Sequence, residues 1–284
     1  MMGSPYIYLE YLQCLLVVLQ EQGFKNPAVF IQIFTPIPKG VYPYHLEETV
    51  KGWSYVLKEN PTSNCIIIGD STGATLILSL LLFLAKPNFE MINATESDIN
   101  LTKPLAAFLI SPIPKFNISD NIQKNHQNAL EICPDILTKK IVNNWGKNYI
   151  PDFDFDSEEN SENPENCGYH SPGLCNDEEW WKNAFPEFGI VISYGAEELL
   201  APEIDFLTTN LKKFGKVKVD KHNAHVHDWP ILTYFTERTQ EDREESIQYF
   251  AGVISRMLLW NTETYFSSNA KEPTNILKID YEYS

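Results

Sequence analysis

The chain has 284 residues, 43% of them hydrophobic and 13% aromatic, enough for one substantial core and too apolar for wholesale disorder. A formal net charge of −16 disfavours a nucleic-acid partner, whose phosphates are gripped by Lys and Arg surfaces. The five cysteines contain no C-x-x-C pair, which argues against a zinc site.

In chain order, residues 6–20 read as an amphipathic helix ending near Gly23. AVFIQIF (28–34) reads as a short strand closed by Pro36 and Pro38. A helix is expected over His45–Leu57, with Leu46, Val50, Trp53 and Leu57 on one face. CIIIG (65–69) is a continuous apolar run, the pattern of a strand buried on both faces of a parallel sheet. A buried helix over 72–84 follows, then strands at AAFLIS (106–111), GIVISY (189–194) and VKVDKH (217–222). Between the last two, Pro202–Phe214 reads as a helix, with Pro in its first turn and Gly215 after its end. A closing helix is expected over 241–260.

Strands alternating with helices imply an α/β fold, a doubly wound and mostly parallel sheet in a single domain over 1–284. The rhythm breaks over 113–188, read as a helical and loop insertion that caps one end of the sheet. Helix candidates lie there near 130–148. The acidic run PDFDFDSEENSENPEN begins D-x-D-x-D, yet a calcium loop needs Gly sixth and Glu twelfth; Ser157 and Asn163 stand there, so a solvated loop is expected. Cys167 and Cys175 bracket CGYHSPGLC and could be bridged, which spacing alone cannot establish. Cys65, inside an apolar run, reads as a small core residue.

Gly69-Asp70-Ser71-Thr72-Gly73 fits G-x-S-x-G. A serine at the tip of a tight strand-to-helix turn projects its hydroxyl above the sheet, and small flanking residues let the arms of the turn approach each other. The helix N-terminus aims backbone N–H groups at a developing oxyanion, so the Thr72 N–H is an oxyanion candidate. The bland reading is a parallel-strand turn carrying an incidental serine. A nucleophilic serine needs a base and an acid that orients it, in the order Ser, acid, His. Of the six histidines, His225 and His227 in HNAHVHDWP follow the last strand, while His45, His126, His170 and His222 have no special argument. ISYGAEELLAPE offers Glu197 and Glu198 after the strand at 189–194. Both segments leave carboxyl ends of strands, the edge where α/β sites gather. Trp145, Trp180, Trp181 and Phe185 could line an apolar acyl or sterol pocket or simply pack a lid on the sheet.

GDSTGA, YGAEELLAPE and HVHDWP together resemble the hormone-sensitive-lipase-like branch of the α/β hydrolases. Within it the chain most resembles the fungal steryl acetyl hydrolases, which deacetylate sterol esters at the endoplasmic reticulum. The resemblance runs from GSPYIYLEYL to the closing helix. The family elbow reads GDSAGG, so Thr72 and Ala74 depart conservatively. Alignment with its D-x-L-R-D-E segment makes Glu198 the acid, with Glu197 second, and alignment with His-Gly-Phe makes His227 the base. The resemblance implies a carboxylic ester hydrolase with a Ser71–His227–Glu198 triad and a small lipophilic ester substrate, with no metal or organic cofactor. It also implies an HGG loop before the elbow that supplies most of the oxyanion hole. No HGG occurs in the sequence. The expectation is therefore an N-terminally truncated sheet lacking its first three strands, an exposed edge on CIIIG, and weak or absent turnover. The rival reading is a non-catalytic hydrolase-fold protein that binds an apolar ligand or a protein partner; a peptidase or lactonase on the same fold is a third.

Sequons at Asn93, Asn100 and Asn117 crowd one polar stretch and favour the secretory pathway. Together with the resemblance they point to the lumenal side of the endoplasmic reticulum. The N-terminal stretch lacks a basic start and a cleavage site, and Glu10 and Gln13 interrupt it, so it fits neither a signal peptide nor a span. Any membrane association is expected through an N-terminal anchor absent from this sequence.

Overall fold

The structure, a computed structural model, describes residues 5–61, 63–118, 134–151, 153 and 168–259. They fall into two compact units, one built on Phe30–Trp229 and one joining Tyr6–Val29 to the chain after Pro230.

The larger unit holds four strands: β1 (Ile67–Asp70), β2 (Ala107–Ile110), β3 (Ile190–Gly195) and β4 (Val217–His222). They pair in the order β1-β2-β3-β4, all parallel, with Ile67, Ala107, Ile190 and Val217 in one row. Parallel neighbours need a crossover, and helices supply each one. α3 (Thr72–Ala85) joins β1 to β2, α4 (Lys139–Tyr149) and α5 (Glu178–Ala184) lie between β2 and β3, and α6 (Ala201–Leu211) joins β3 to β4. β2, which is apolar at every residue, and β3, which is apolar apart from Ser193 and Gly195, are buried throughout, as strands inside a parallel sheet are.

α3 is apolar all round, and Ala74–Leu84 are all buried, so it is the central helix of the core. α2 (Tyr44–Glu59) buries Leu46, Val50 and Trp53 toward that core, the face its periodicity foretold. Local caps set the helix starts: the Thr138 hydroxyl accepts from the Ile141 N–H and the Asp177 carboxylate accepts from the Trp180 N–H. In α5, Trp180 and Trp181 are buried and donate their indole N–H groups to the carbonyls of Leu82 (2.7 Å) and Cys175 (2.8 Å). Part of segment 113–188 thus belongs to the core, with α5 packed on α3.

The smaller unit contains α1 (Pro5–Glu21), most of α7 (Trp229–Thr236), and α8 (Gln240–Leu258). Tyr11 meets Tyr234 edge-on at 5.4 Å, and the Ser255 hydroxyl bonds the Gln22 amide oxygen. α1 closes at Gly23, whose φ of +105° turns the chain out of the helix.

Two strand expectations need correction. Residues 28–34 form no strand: a strand exists only when paired, and no described strand offers this segment a ladder. Val29, Phe30 and Ile33 are exposed in consequence. β1 is only partly buried, with Ile68 40% exposed, because it is a sheet edge with β2 as its one neighbour among the described residues. The acidic run falls almost wholly outside the described residues, as do Cys167, and with it the Cys167–Cys175 bridge, and the helix candidate before residue 134.

Gly195, at the end of β3, lets the backbone of the β4–α7 loop press against the sheet. A Cβ there would sit 2.1 Å from the His225 carbonyl oxygen and 2.8 Å from that of Val226. Gly195→Ala is therefore expected to displace the loop carrying His227 and lower unfolding stability by about 1–3 kcal/mol in urea titration.

Candidate active site

The elbow follows from close backbone contact. At Gly69 a Cβ would lie 2.7 Å from the Gly73 carbonyl carbon, so the first glycine of G-x-S-x-G makes room for the last. Ser71 between them has φ 50° and ψ −118°, a strained conformation for a non-glycine residue. Its N–H donates to the Ile110 carbonyl at 2.8 Å and its carbonyl accepts from the Thr75 N–H at 3.2 Å, anchoring the turn between sheet and helix. Its hydroxyl makes no capping bond to α3. Thr72, the first residue of α3, has an N–H with no acceptor inside the helix, as at any helix N-terminus.

The loops leaving β3 and β4 converge on that hydroxyl. His227 Nε2 lies 2.9 Å from Ser71 Oγ, and its Nδ1 lies 3.3 Å from Glu198 Oε2. The second contact is an ion-pair approach that falls short of hydrogen-bond alignment. Glu198 and His227 are both buried. The two glutamates left open by the bare sequence part company here: Glu197 accepts from the His225 backbone N–H at 3.0 Å and so braces the loop, while Glu198 faces the imidazole ring. His225 and His222 both stack on Trp229, with ring centroids 4.6 and 4.2 Å away. His45 and His170 are buried elsewhere, held by the Thr35 carbonyl and the Ser171 hydroxyl, and His126 lies outside the described residues.

Three further residues shape the site. The Asp135 carboxylate accepts from the Leu199 N–H (2.6 Å) and the His227 N–H (3.0 Å), tying the acid loop to the histidine loop. Ser111 follows β2 with φ 43°, and its hydroxyl accepts from the Asp228 N–H at 3.0 Å. Asp228 Oδ2 lies 3.3 Å from His227 Nε2. Ser111 had a sequence signal, a serine after a strand as at Ser71, and Asp228 stood beside the candidate base. Asp135 had none, because a carboxylate that bonds two distant backbone amides follows no spacing rule.

The electrostatics are those of crowded acids. Burial disfavours charge on His227, but Asp228, Glu198 and Asp135 overcome it and raise its pKa to about 9. Burial raises Glu198 above the usual carboxylate range, while His227 and the Ser111 hydroxyl pull it back. Burial also raises Asp228, and Asp70, Glu198 and Asp135 add to the effect against the attraction of His227.

Asn93 and Asn100 are exposed and Asn117 is partly buried. Among the described residues, no helix is long and apolar enough to cross a membrane. The lining of the cavity of about 460 Å³ beyond the far end of α3 includes Lys86, Phe89, Tyr169 and Trp180; of the four candidate aromatics it takes Trp180 alone, and it stands apart from Ser71.

A parallel sheet with helical crossovers and a strained serine on a strand-to-helix turn defines the α/β-hydrolase fold. Solved structures agree: carboxyl esterase 2 from Tuber melanosporum superposes with a TM-score of 0.63 at 17% identity, covering 90% of this chain and 74% of its own. A hormone-sensitive lipase from a metagenome library does so at 0.60 and 19%, covering 91% and 75%. The chain belongs to the steryl acetyl hydrolase family, whose model matches residues 6–249. Steryl acetyl hydrolase 1 of Saccharomyces cerevisiae is 23% identical over 226 residues, 76% of this chain and 48% of that protein. The chain thus spans about half the length of that relative.

If Glu198 orients the imidazole and Glu197 only braces the loop, Glu198→Gln lowers ester turnover by about 10²-fold or more, whereas Glu197→Gln changes it far less. Steady-state kinetics on a chromogenic acetyl ester compare the two; equal losses would remove the distinction.

Proposed function

We propose that the chain is a serine carboxylic ester hydrolase acting on acetyl esters of a lipophilic alcohol such as a sterol. The observation that carries this is the convergence of Ser71, His227 and Glu198, with the serine hydroxyl 2.9 Å from the imidazole Nε2 and the Glu198 carboxylate 3.3 Å from its Nδ1. Membership of an esterase family supports the reaction class, and the substrate follows from what the family and its yeast member are called.

In this reading Ser71 Oγ attacks the acetyl carbonyl as His227 Nε2 takes its proton. The carbonyl oxygen becomes an oxyanion facing the Thr72 N–H at the start of α3, where the helix dipole favours negative charge. His227 then gives its proton to the departing alcohol oxygen, leaving acetyl-Ser71. Water attacks that ester, His227 again takes and returns the proton, and acetate leaves. Glu198 stabilises the imidazolium through both halves.

A fluorophosphonate probe tests the nucleophile. The wild-type chain is expected to label covalently and Ser71→Ala, equally folded by circular dichroism, is not. Failure to label well-folded wild type would favour a non-catalytic ligand-binding protein.

A further inference from the structure

Asp228 stands where the chemistry above has no need of a carboxylate. Its φ of +56° lies in the left-handed region that glycine and asparagine enter more easily, and the bond from its N–H to Ser111 holds it there. The side chain is 17% exposed, and Oδ1 is buried without a hydrogen-bond partner. Oδ2 approaches within 3.3 Å of His227 Nε2, the same nitrogen that lies 2.9 Å from Ser71 Oγ. One ring nitrogen, with room for one proton, thus faces two oxygens.

We propose that Asp228 is a positioning residue that holds a proton on the Nε2 side of His227, so that the imidazole cannot act as a base toward Ser71 until that proton leaves. The proposal rests on the reading of Ser71 as nucleophile. The proton sits either on Nε2, as an imidazolium beside a carboxylate, or on Oδ2, as a carboxylic acid donating to Nε2. In both arrangements it occupies the lone pair that must receive the Ser71 proton. Loss of the proton to water frees the base.

The charged groups facing this pair come from the end of β1, from the loop after β3 and from the segment before α4, while the end of β2 contributes only a hydroxyl. They are Asp70 at the end of β1, Asp135, and Glu198 after β3, with the neutral hydroxyls of Ser71 and Ser111 beside them. All the charged members are acidic, so each strengthens retention of the proton. With His227 raised to about 9, the free base is scarce at neutral pH and becomes abundant only in the alkaline range.

Asp228→Asn removes the ionisable oxygen and tolerates the left-handed backbone; Asp228→Gly removes the side chain and the strain together. Two measurements on the full chain read the effect: the His227 ring titration by NMR, and the rate of fluorophosphonate labelling against pH. Both variants are expected to lower the His227 midpoint by about one unit or more, and to raise labelling at pH 7 by roughly tenfold while converging with wild type near pH 10. A purely structural role would scale the labelling rate at every pH and leave its midpoint in place, and that result overturns the proposal. So does a His227 titration identical in wild type and variants. If the titration moves as expected but no form labels at any pH, the proton hold stands and the nucleophile reading falls.

Discussion

The parallel ladder β1-β2-β3-β4 is the constraint on which everything else depends. Because all four strands run the same way, their carboxyl ends lie along one edge, and each delivers a polar residue there. Ser71 leaves β1, Ser111 leaves β2, Glu198 follows β3, and His227 follows β4. No residue of this group is near another in sequence except within its own loop. The site exists because backbone pairing aligns four chain segments, and a one-residue slip in register would scatter it.

What the ladder aligns, short polar contacts then fix. Gly69 and Gly195 let backbone approach backbone, one at the elbow and one under the histidine loop. Asp135 bridges two loops through their amides, and Ser111 holds Asp228. Among the described residues, four non-glycine residues have φ in the left-handed region: Ser71, Ser111, Ala224 and Asp228. Three of the four touch the site, in keeping with strain that gathers where function needs a fixed geometry. Asp135, Glu198 and Asp228 crowd one imidazole, and Asp70 faces Asp228, so the field of the site favours protonated forms.

Much of this was legible in the sequence, for reasons specific to each element. β2 and β3 read clearly because strands buried on both faces are mostly apolar, and α3 because it is buried nearly all round. The elbow read clearly because the small residue at Gly69 is a steric necessity of the turn. Residues 28–34 misled because apolar, β-rich composition is only a propensity, and a strand also needs a partner that sequence does not reveal. The choice of Glu198 over Glu197 was closed by resemblance rather than by spacing, since two adjacent side chains diverge only once the loop is folded. Asp135 was invisible because its partners are backbone amides 64 and 92 residues away.

The most direct test of the account is to trap the covalent intermediate. The chain is mixed briefly with a chromogenic acetyl ester, quenched in acid, digested, and mapped by mass spectrometry. An acetyl group on Ser71, absent from the Ser71→Ala variant and strongly reduced when His227 is replaced by a side chain that cannot take the Ser71 proton, is the expected result. Acetylation confined to other residues, or turnover that survives the loss of Ser71, would contradict it.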